Sequence, residues 1–137
     1  MTKPRKVWMA RPAKRPKPSV PDSIKTALTA KADHFIETVL RPVRIVPPEP
    51  GAHFNHITDF RVKWHGNYFY FISLYACPGP NAISPTFESK FARMEYRGDG
   101  KFDLSFHRHT GEWVGLYEGL SDDGCLKAIQ EDPWFRT

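Results

Sequence analysis

Two histidines placed two positions apart are the strongest candidates for metal or acid–base chemistry in this chain. His107 and His109 flank Arg108 in the segment FHRHTGEW. On a β-strand, alternate residues share one face and lie about 7 Å apart, so both imidazoles would point the same way. Glu112 could add a third ligand, but a closed metal site needs three or four, and Arg93 would oppose a cation. We therefore predict no metal here, and instead a half-exposed polar face or a contact with a nucleic acid or a partner.

The other reactive side chains do not form a catalytic pattern. Cys77 and Cys125 are far apart and form no CxxC pair, and no export signal precedes them, so we expect reduced, structural thiols. The sequence contains no nucleophile–base pair, phosphate loop or acid dyad, and it implies no cofactor. An enzyme is therefore the less favoured class, although active sites can be assembled from distant residues. No apolar run approaches the roughly 18 residues of a membrane span, which makes the cytoplasm the expected location.

Alternating apolar and polar residues predict the first two strands of a sheet. Residues 57–64 alternate, and Gly66-Asn67 is a two-residue hairpin turn that pairs Trp64 with Phe69. The returning strand, residues 68–76, is apolar on both faces. Such a strand should be central in the sheet, or covered on its second face by a helix or another subunit. Prolines and glycines then predict a long loop over residues 77–85.

Two further hairpins complete the predicted sheet. For the strands 91–97 and 101–109, a three-residue loop over residues 98–100 keeps one face apolar. This register sets Tyr96 opposite Phe102, Met94 opposite Leu104 and Ala92 opposite Phe106. A Thr110-Gly111 turn would close the last hairpin, so that the Arg108 guanidinium stacks on Trp113 on the core-side face and His107 lies opposite Val114.

One helix is predicted on each side of these strands. The first begins at Asp22 or Ser23 as its cap and ends at Pro42. The second is capped by Ser121 and ends at Asp132-Pro133, and Trp134-Phe135 should pack back onto the domain. The predicted fold is therefore α+β: a five-stranded antiparallel meander with an N-terminal and a C-terminal helix packed on it. It forms one domain over residues 20–137.

The N-terminal tail, residues 1–19, carries the positive charge of the chain. It holds seven of the 20 basic residues and no acid, which leaves a formal charge of −2 on residues 20–137. Proline and like-charge repulsion predict that this tail is disordered and dispensable for folding. It would be a nucleic-acid-binding arm, a solubilising extension, or a stretch before a start at Met9. Its basic residues are Lys3, Arg5, Lys6, Arg11, Lys14, Arg15 and Lys17.

The C-terminal half has a characteristic order of aromatic residues and turns. It reads ARMEYRGDGKFDLSFHRHTGEWVGLYEGLS, followed by a short helix ending in EDPWF. Over roughly residues 57–137 it resembles a small bacterial family known as a domain of unknown function. That family has a strand opening with Ala and a basic residue, a strand of alternating aromatics, a Trp-containing strand and a helix ending in acidic-Asp-Pro. The basic tail and the terminal Trp134-Phe135-Arg136 depart from the pattern. The resemblance implies one sheet-and-helix domain and brings no activity, cofactor or site residue with it.

Two functions follow from these patterns. The first is a non-enzymatic protein-interaction or dimerising module, which the −2 charge of residues 20–137 favours. Its interface would be the second face of strand 68–76: Tyr68, Tyr70, Ile72 and Leu74. The alternative is a nucleic-acid-associated protein that combines the basic tail with a stacking face on the sheet. The residues of that face would be Arg61, Lys63, Tyr68, Tyr70 and Arg93. A small-molecule pocket, the third class, has no specific residue in its favour.

Overall fold

Five antiparallel strands form one sheet in chain order, which confirms the predicted α+β meander. The computed structural model describes residues 19–51 and 53–136, so the basic residues of the predicted arm, Lys3 to Lys17, lie outside the described residues. The third strand begins five residues earlier than predicted, because Thr86–Lys90 pairs with the end of the second strand. The strands are β1 (His56–His65), β2 (Tyr68–Ala76), β3 (Thr86–Gly98), β4 (Lys101–His107) and β5 (Trp113–Ser121).

The N-terminal helix differs from the prediction at both ends. Helix α1 spans Asp22–Phe35 and begins after Pro21, with no side-chain cap, so neither Asp22 nor Ser23 is the cap. Pro42 does not end the helical segment. A π-helical turn, Ile36–Leu40, joins α1 to a last short helix α2, Arg41–Arg44. Pro42 lies in the first turn of α2, where a missing N–H is tolerated.

The C-terminal helix agrees with the prediction. Helix α3 spans Asp122–Glu131, and the Ser121 Oγ accepts a hydrogen bond from the Gly124 amide at 3.0 Å. Asp132 ends the helix, and a 3₁₀ turn follows in which Phe135 is fully buried while Trp134 stays 62% exposed. None of the helices in the two described ranges is long and apolar enough to cross a membrane.

The helices cover one face of the sheet and form the core there. Helix α1 contacts β1, and α3 contacts β4 and β5. Phe35 of α1 meets Phe71 edge-to-face, with ring centroids 6.3 Å apart. Arg44 joins the N-terminal and C-terminal helical segments, since its guanidinium donates to the carbonyls of Ile129 and Phe135. The sheet contributes the following fully buried side chains to this core: Phe69, Phe71, Met94, Phe102 and Leu104.

The β3–β4 register is the predicted one, although the turn is built differently. Tyr96 lies opposite Phe102 and Met94 opposite Leu104. The turn itself is the two-residue Asp99-Gly100, with φ of 52° and 70°. Both values are typical of a type I′ hairpin turn. Because Gly98 pairs with Lys101, Arg97 is an extra residue, and this bulge restores the alignment that keeps one face apolar.

The β4–β5 register differs from the prediction by one residue. His107 lies opposite Trp113, and Phe106 lies opposite Val114. The connection is a five-residue loop, 108–112, closed by a hydrogen bond from the Arg108 amide to the Glu112 carbonyl at 2.8 Å. The predicted Thr110-Gly111 turn is therefore wrong. The longer loop places Val114 against the core and moves Trp113 to the other face of the sheet.

A cation–aromatic face as the candidate binding site

The sheet face that the helices leave uncovered, the open face, carries rows of polar and aromatic side chains. One row crosses all five strands, because Lys63 pairs with Tyr70, Tyr70 with Arg93, Arg93 with Ser105, and Ser105 with Gly115. Residues directly opposite in an antiparallel pair point to the same side of the sheet. Strand register therefore determines which side chains lie on the open face.

Cations lie over aromatic rings at the centre of the open face. The Arg93 guanidinium carbon is 4.5 Å from the ring centroid of Tyr68 and 4.8 Å from that of Trp113. The Lys90 ammonium lies 4.8 Å from the centroid of Tyr70. These distances are within the range of attractive cation–π contacts. The charged groups are therefore held in place by rings from two strands, β2 and β5.

Ring–ring contacts join these side chains into one cluster. Tyr68 and Tyr70 have centroids 6.1 Å apart, and Tyr70 and Trp113 are 5.7 Å apart. His107 stacks on Trp113 at 4.7 Å, and its Nδ1 lies 3.1 Å from the Lys90 carbonyl oxygen. We call these six residues the cation–aromatic array: Tyr68, Tyr70, Lys90, Arg93, His107 and Trp113.

Among the described residues, the charges of the array lack carboxylate partners. In the described ranges, Lys90 and Arg93 have no carboxylate within 4 Å, and the same holds for the neighbouring Lys63. The carboxylates around them are engaged by arginines: Asp59 by Arg41, Glu88 by Arg61, and Asp103 and Glu95 by Arg97. Six further acids lie in the helical segments, on the other side of the sheet: Asp22, Asp33, Glu37, Asp122, Asp123 and Glu131. The open face is thus more positive than the formal charge of −2 suggests.

The position of Arg93 destabilises the folded state. Its Nε is buried and has no hydrogen-bond partner in the part of the chain described. A buried donor without a partner costs about 1–3 kcal/mol. An apolar side chain at this position would avoid that cost. A buried polar group kept in this state requires an explanation, and a role in binding is one.

The interface residues predicted from strand 68–76 share the open face but differ in exposure. Tyr68, Tyr70 and Leu74 are half-buried, whereas Ile72 is only 1% exposed. The cross-strand neighbours of Ile72 are Arg61 and Lys90. Stems of long cationic side chains can cover apolar surface in this way. Ile72 would therefore contribute almost no new buried area to a partner.

The two histidines of the opening motif do not lie side by side. His107 ends β4 and belongs to the array, while His109 is an exposed residue of the 108–112 loop. Arg108 is not on Trp113, and Arg93 lies there instead. In the described residues no three His, Cys, Asp or Glu side chains are close enough to hold a metal ion.

The buried thiol does not offer nucleophilic chemistry. Cys125 is fully buried and free, and burial raises the pKa of its thiol to about 12, with smaller effects from Asp122 and Asp103. A thiolate, and not a thiol, is the reactive form. Cys125 is a core residue, as predicted.

Two members of the array were missed by reasoning from the sequence. Lys90 falls outside the predicted elements, because the loop is predicted over residues 77–85 and the third strand from residue 91. Trp113 was placed on the core side, because the last hairpin was predicted with a two-residue turn. The first is an error of strand boundary and the second an error of register. Val114 could have corrected the second, because it is an apolar residue that fits the core-side position opposite Phe106.

A second surface feature lies at the far end of the sheet, where β1 begins and β2 ends. Four of the large apolar side chains that are most exposed in the described residues gather near it: Val46, Phe54, Ile83 and Phe87. Phe87 stacks on Tyr75, with centroids 4.6 Å apart. Cavities of about 710 and 300 Å³ adjoin this end, and Asn55 lines both. We call these four residues the apolar end.

Comparison with known proteins extends the family resemblance. No curated protein and no solved structure was found to be similar to this chain. A family model described as a domain of unknown function, DUF3024, matches residues 18–136. The match is wider than the residues 57–137 expected from the order of aromatics, because it includes helix α1. It covers all of the described residues. The chain therefore belongs to the DUF3024 family.

Proposed function

We propose that this protein is a non-enzymatic binding module that holds single-stranded nucleic acid on the open face of its sheet. The observation that carries the proposal is the position of Arg93, between the rings of Tyr68 and Trp113. The same face presents Lys63 and Lys90 without carboxylate partners in the described ranges. Single-stranded nucleic acid needs both features, because its phosphates pair with cations and its bases stack on planar groups.

A single strand fits this face better than a duplex. The face is a sheet surface, and the groove of a duplex admits a helix or a narrow two-stranded ribbon. Unpaired bases stack on aromatic rings, so the half-buried rings of Tyr68, Tyr70 and Trp113 are the stacking surface. Because stacking tolerates any base, we expect little sequence preference. The basic tail, residues 1–19, would add salt-dependent attraction to phosphates.

Protein interaction is the second candidate, and the apolar end supports it better than strand 68–76 does. Ile72 is already buried in the isolated chain, whereas Ile83 and Phe54 are largely exposed. Exposed apolar clusters often mark protein-binding surfaces. Light scattering of the full chain and of the double variant Ile83→Asp/Phe87→Asp tests this. A dimer that the double variant abolishes would support self-association there, and a monomer in both would argue against it.

The nucleic-acid proposal is tested by fluorescence anisotropy with a labelled oligothymidylate of about 12 nucleotides. The full chain should bind it, and Arg93→Met should weaken binding about tenfold, because it removes one cation and its contacts with the rings of Tyr68 and Trp113. Lys127→Met, on the exposed side of α3, removes the same charge from the helical side and should change the affinity much less.

Competition distinguishes the ligand class. Unlabelled single strand should displace the probe at lower concentration than duplex of equal length. If the full chain and Arg93→Met bound the oligonucleotide with equal affinity, the array would not be the binding site. No binding at low salt would overturn the proposal and leave protein interaction as the better candidate.

A further inference from the structure

A cationic cavity lies at the end of β4, directly beside the array. It encloses about 310 Å³, within the size range of small-ligand pockets. In the part of the chain described, no Asp or Glu lines it. Its basic lining residues come from β3, β4, the 108–112 loop and the C-terminal segment: Lys90, His107, Arg108, His109 and Arg136.

Among the described residues, little nearby negative charge offsets these groups. Glu112 pairs with Arg108 at 3.7 Å, but its side chain is 70% exposed, and exposed pairs of this kind interact weakly. Arg44 adds a further cation near Arg136. Burial lowers the pKa of Arg44, and repulsion by Arg136 lowers it further. The cavity is thus a place where a bound anion would relieve repulsion between cations.

The shape and donors of the cavity favour a compact, highly charged anion. Arginine presents a planar fork of N–H groups that matches phosphate oxygens. An internal phosphodiester of a nucleic acid carries one negative charge. A terminal phosphate monoester carries about −1.5 to −2 at pH 7 and has three free oxygens. A concave cavity admits a chain end more readily than a strand passing through it.

The cavity and the array are continuous, because Lys90 and His107 belong to both. The Lys90 ammonium lies over Tyr70, and the His107 ring stacks on Trp113, and both residues also line the cavity. A strand lying along the array would therefore end at the cavity. We propose that this cavity binds the terminal phosphate monoester of a single-stranded nucleic acid, an inference that rests on the function proposed above.

The test compares three oligothymidylates of equal length that carry a 5′-phosphate, a 3′-phosphate or hydroxyl groups at both ends. Anisotropy of the full chain should show about tenfold tighter binding of one phosphorylated form than of the hydroxyl form. Which form binds tighter reports the direction of the strand on the sheet. The double variant Arg108→Gln/Arg136→Gln should lose this preference and bind the hydroxyl form within about threefold of the unaltered chain.

The matched control is Lys25→Gln/Lys127→Gln, which removes two charges from the helical side and should keep the preference. Glu112→Gln, which removes the carboxylate paired with Arg108, should increase it. Equal affinity of the full chain for all three oligonucleotides would overturn the inference and leave the proposed function intact. Failure to bind any of them would overturn both. A preference that survives in the Arg108/Arg136 double variant would place the end elsewhere and overturn the cavity assignment.

Discussion

Arg93 shows how one residue can be costly for folding and useful for binding. Its contacts with Tyr68 and Trp113 contribute about 0.5–1 kcal/mol each at a partly exposed site. Its buried Nε, without a partner in the described residues, costs a similar or larger amount. The two effects nearly cancel, so the folded state gains little from the charge.

Arg93→Met should therefore leave the protein as stable as before, or more stable. Methionine keeps the packing of the stem and removes the unsatisfied donor. We expect the Tm of the variant to equal or exceed that of the unaltered chain, measured by a thermal melt followed by circular dichroism. The same sample should bind oligonucleotide more weakly. A large loss of Tm would mean that Arg93 is a structural residue and that its weaker binding is indirect.

The two cysteines should differ sharply in reactivity. Because burial raises the pKa of Cys125 to about 12, this thiol stays protonated at pH 8, and Cys77 is only half-buried. A thiol-specific reagent should label Cys77 in the native protein, and Cys125 only after denaturation. Cys77→Ser should therefore show almost no native labelling. Fast labelling of that variant would indicate that the core around Cys125 opens readily.

At the scale of elements, strand order and the β3–β4 register were predictable, because apolar residues occur on both sides of the turn. Met94 and Leu104 can be buried together in one alignment only, and a one-residue slip would expose both. The type of the β3–β4 turn was harder to predict from the sequence. A bulge at Arg97 and a two-residue turn give the same facing pairs as a three-residue loop.

The β4–β5 hairpin was not predictable to one residue, and the candidate site depends on it. The loop 108–112 contains no apolar residue that would favour one length over another. The Thr110-Gly111 dipeptide suggested a tight turn, but packing of Val114 against the core overrides it. The array could therefore be predicted only in part. Arg93, Tyr68 and Tyr70 were identified, and Trp113 was not.

Substitutions at two adjacent residues test this register. Val114→Asp should destabilise the protein by about 2 kcal/mol or more, because it puts a charge in the apolar layer opposite Phe106. Trp113→Thr, on the open face, should cost less stability and should weaken oligonucleotide binding. Urea denaturation measures the free energy of unfolding of the two variants, and fluorescence anisotropy measures their binding. The reverse order of stabilities would restore the register with Trp113 on the core side.

At the scale of the whole molecule, charge is divided between the tail, the helical layer and the open face. The tail carries +7 and the remainder −2, but many of the acids of the remainder lie in the helices. This division lets a protein with a nearly neutral domain bind a polyanion on one side. Tail and open face would then act together on the same strand.

The salt dependence of binding measures how many cations take part. Ten phosphate contacts, seven from the tail and three from Lys63, Lys90 and Arg93, give a log–log slope of magnitude about 7 on a single strand. Replacing the seven tail cations with Gln in the full chain should reduce the slope to about 2. An unchanged slope would mean that the tail does not contact the ligand.

The central claim, that the open face binds single-stranded nucleic acid, is tested most directly by an NMR titration of the full chain with an unlabelled oligothymidylate. The account predicts that backbone amide shifts concentrate on β2, β3 and β5 around Tyr70, Arg93 and Trp113, and include the Trp113 indole N–H. The amides of α1 and α3 should change little. Shifts confined to residues 1–18 or to the helical layer, with the sheet unperturbed, would contradict it.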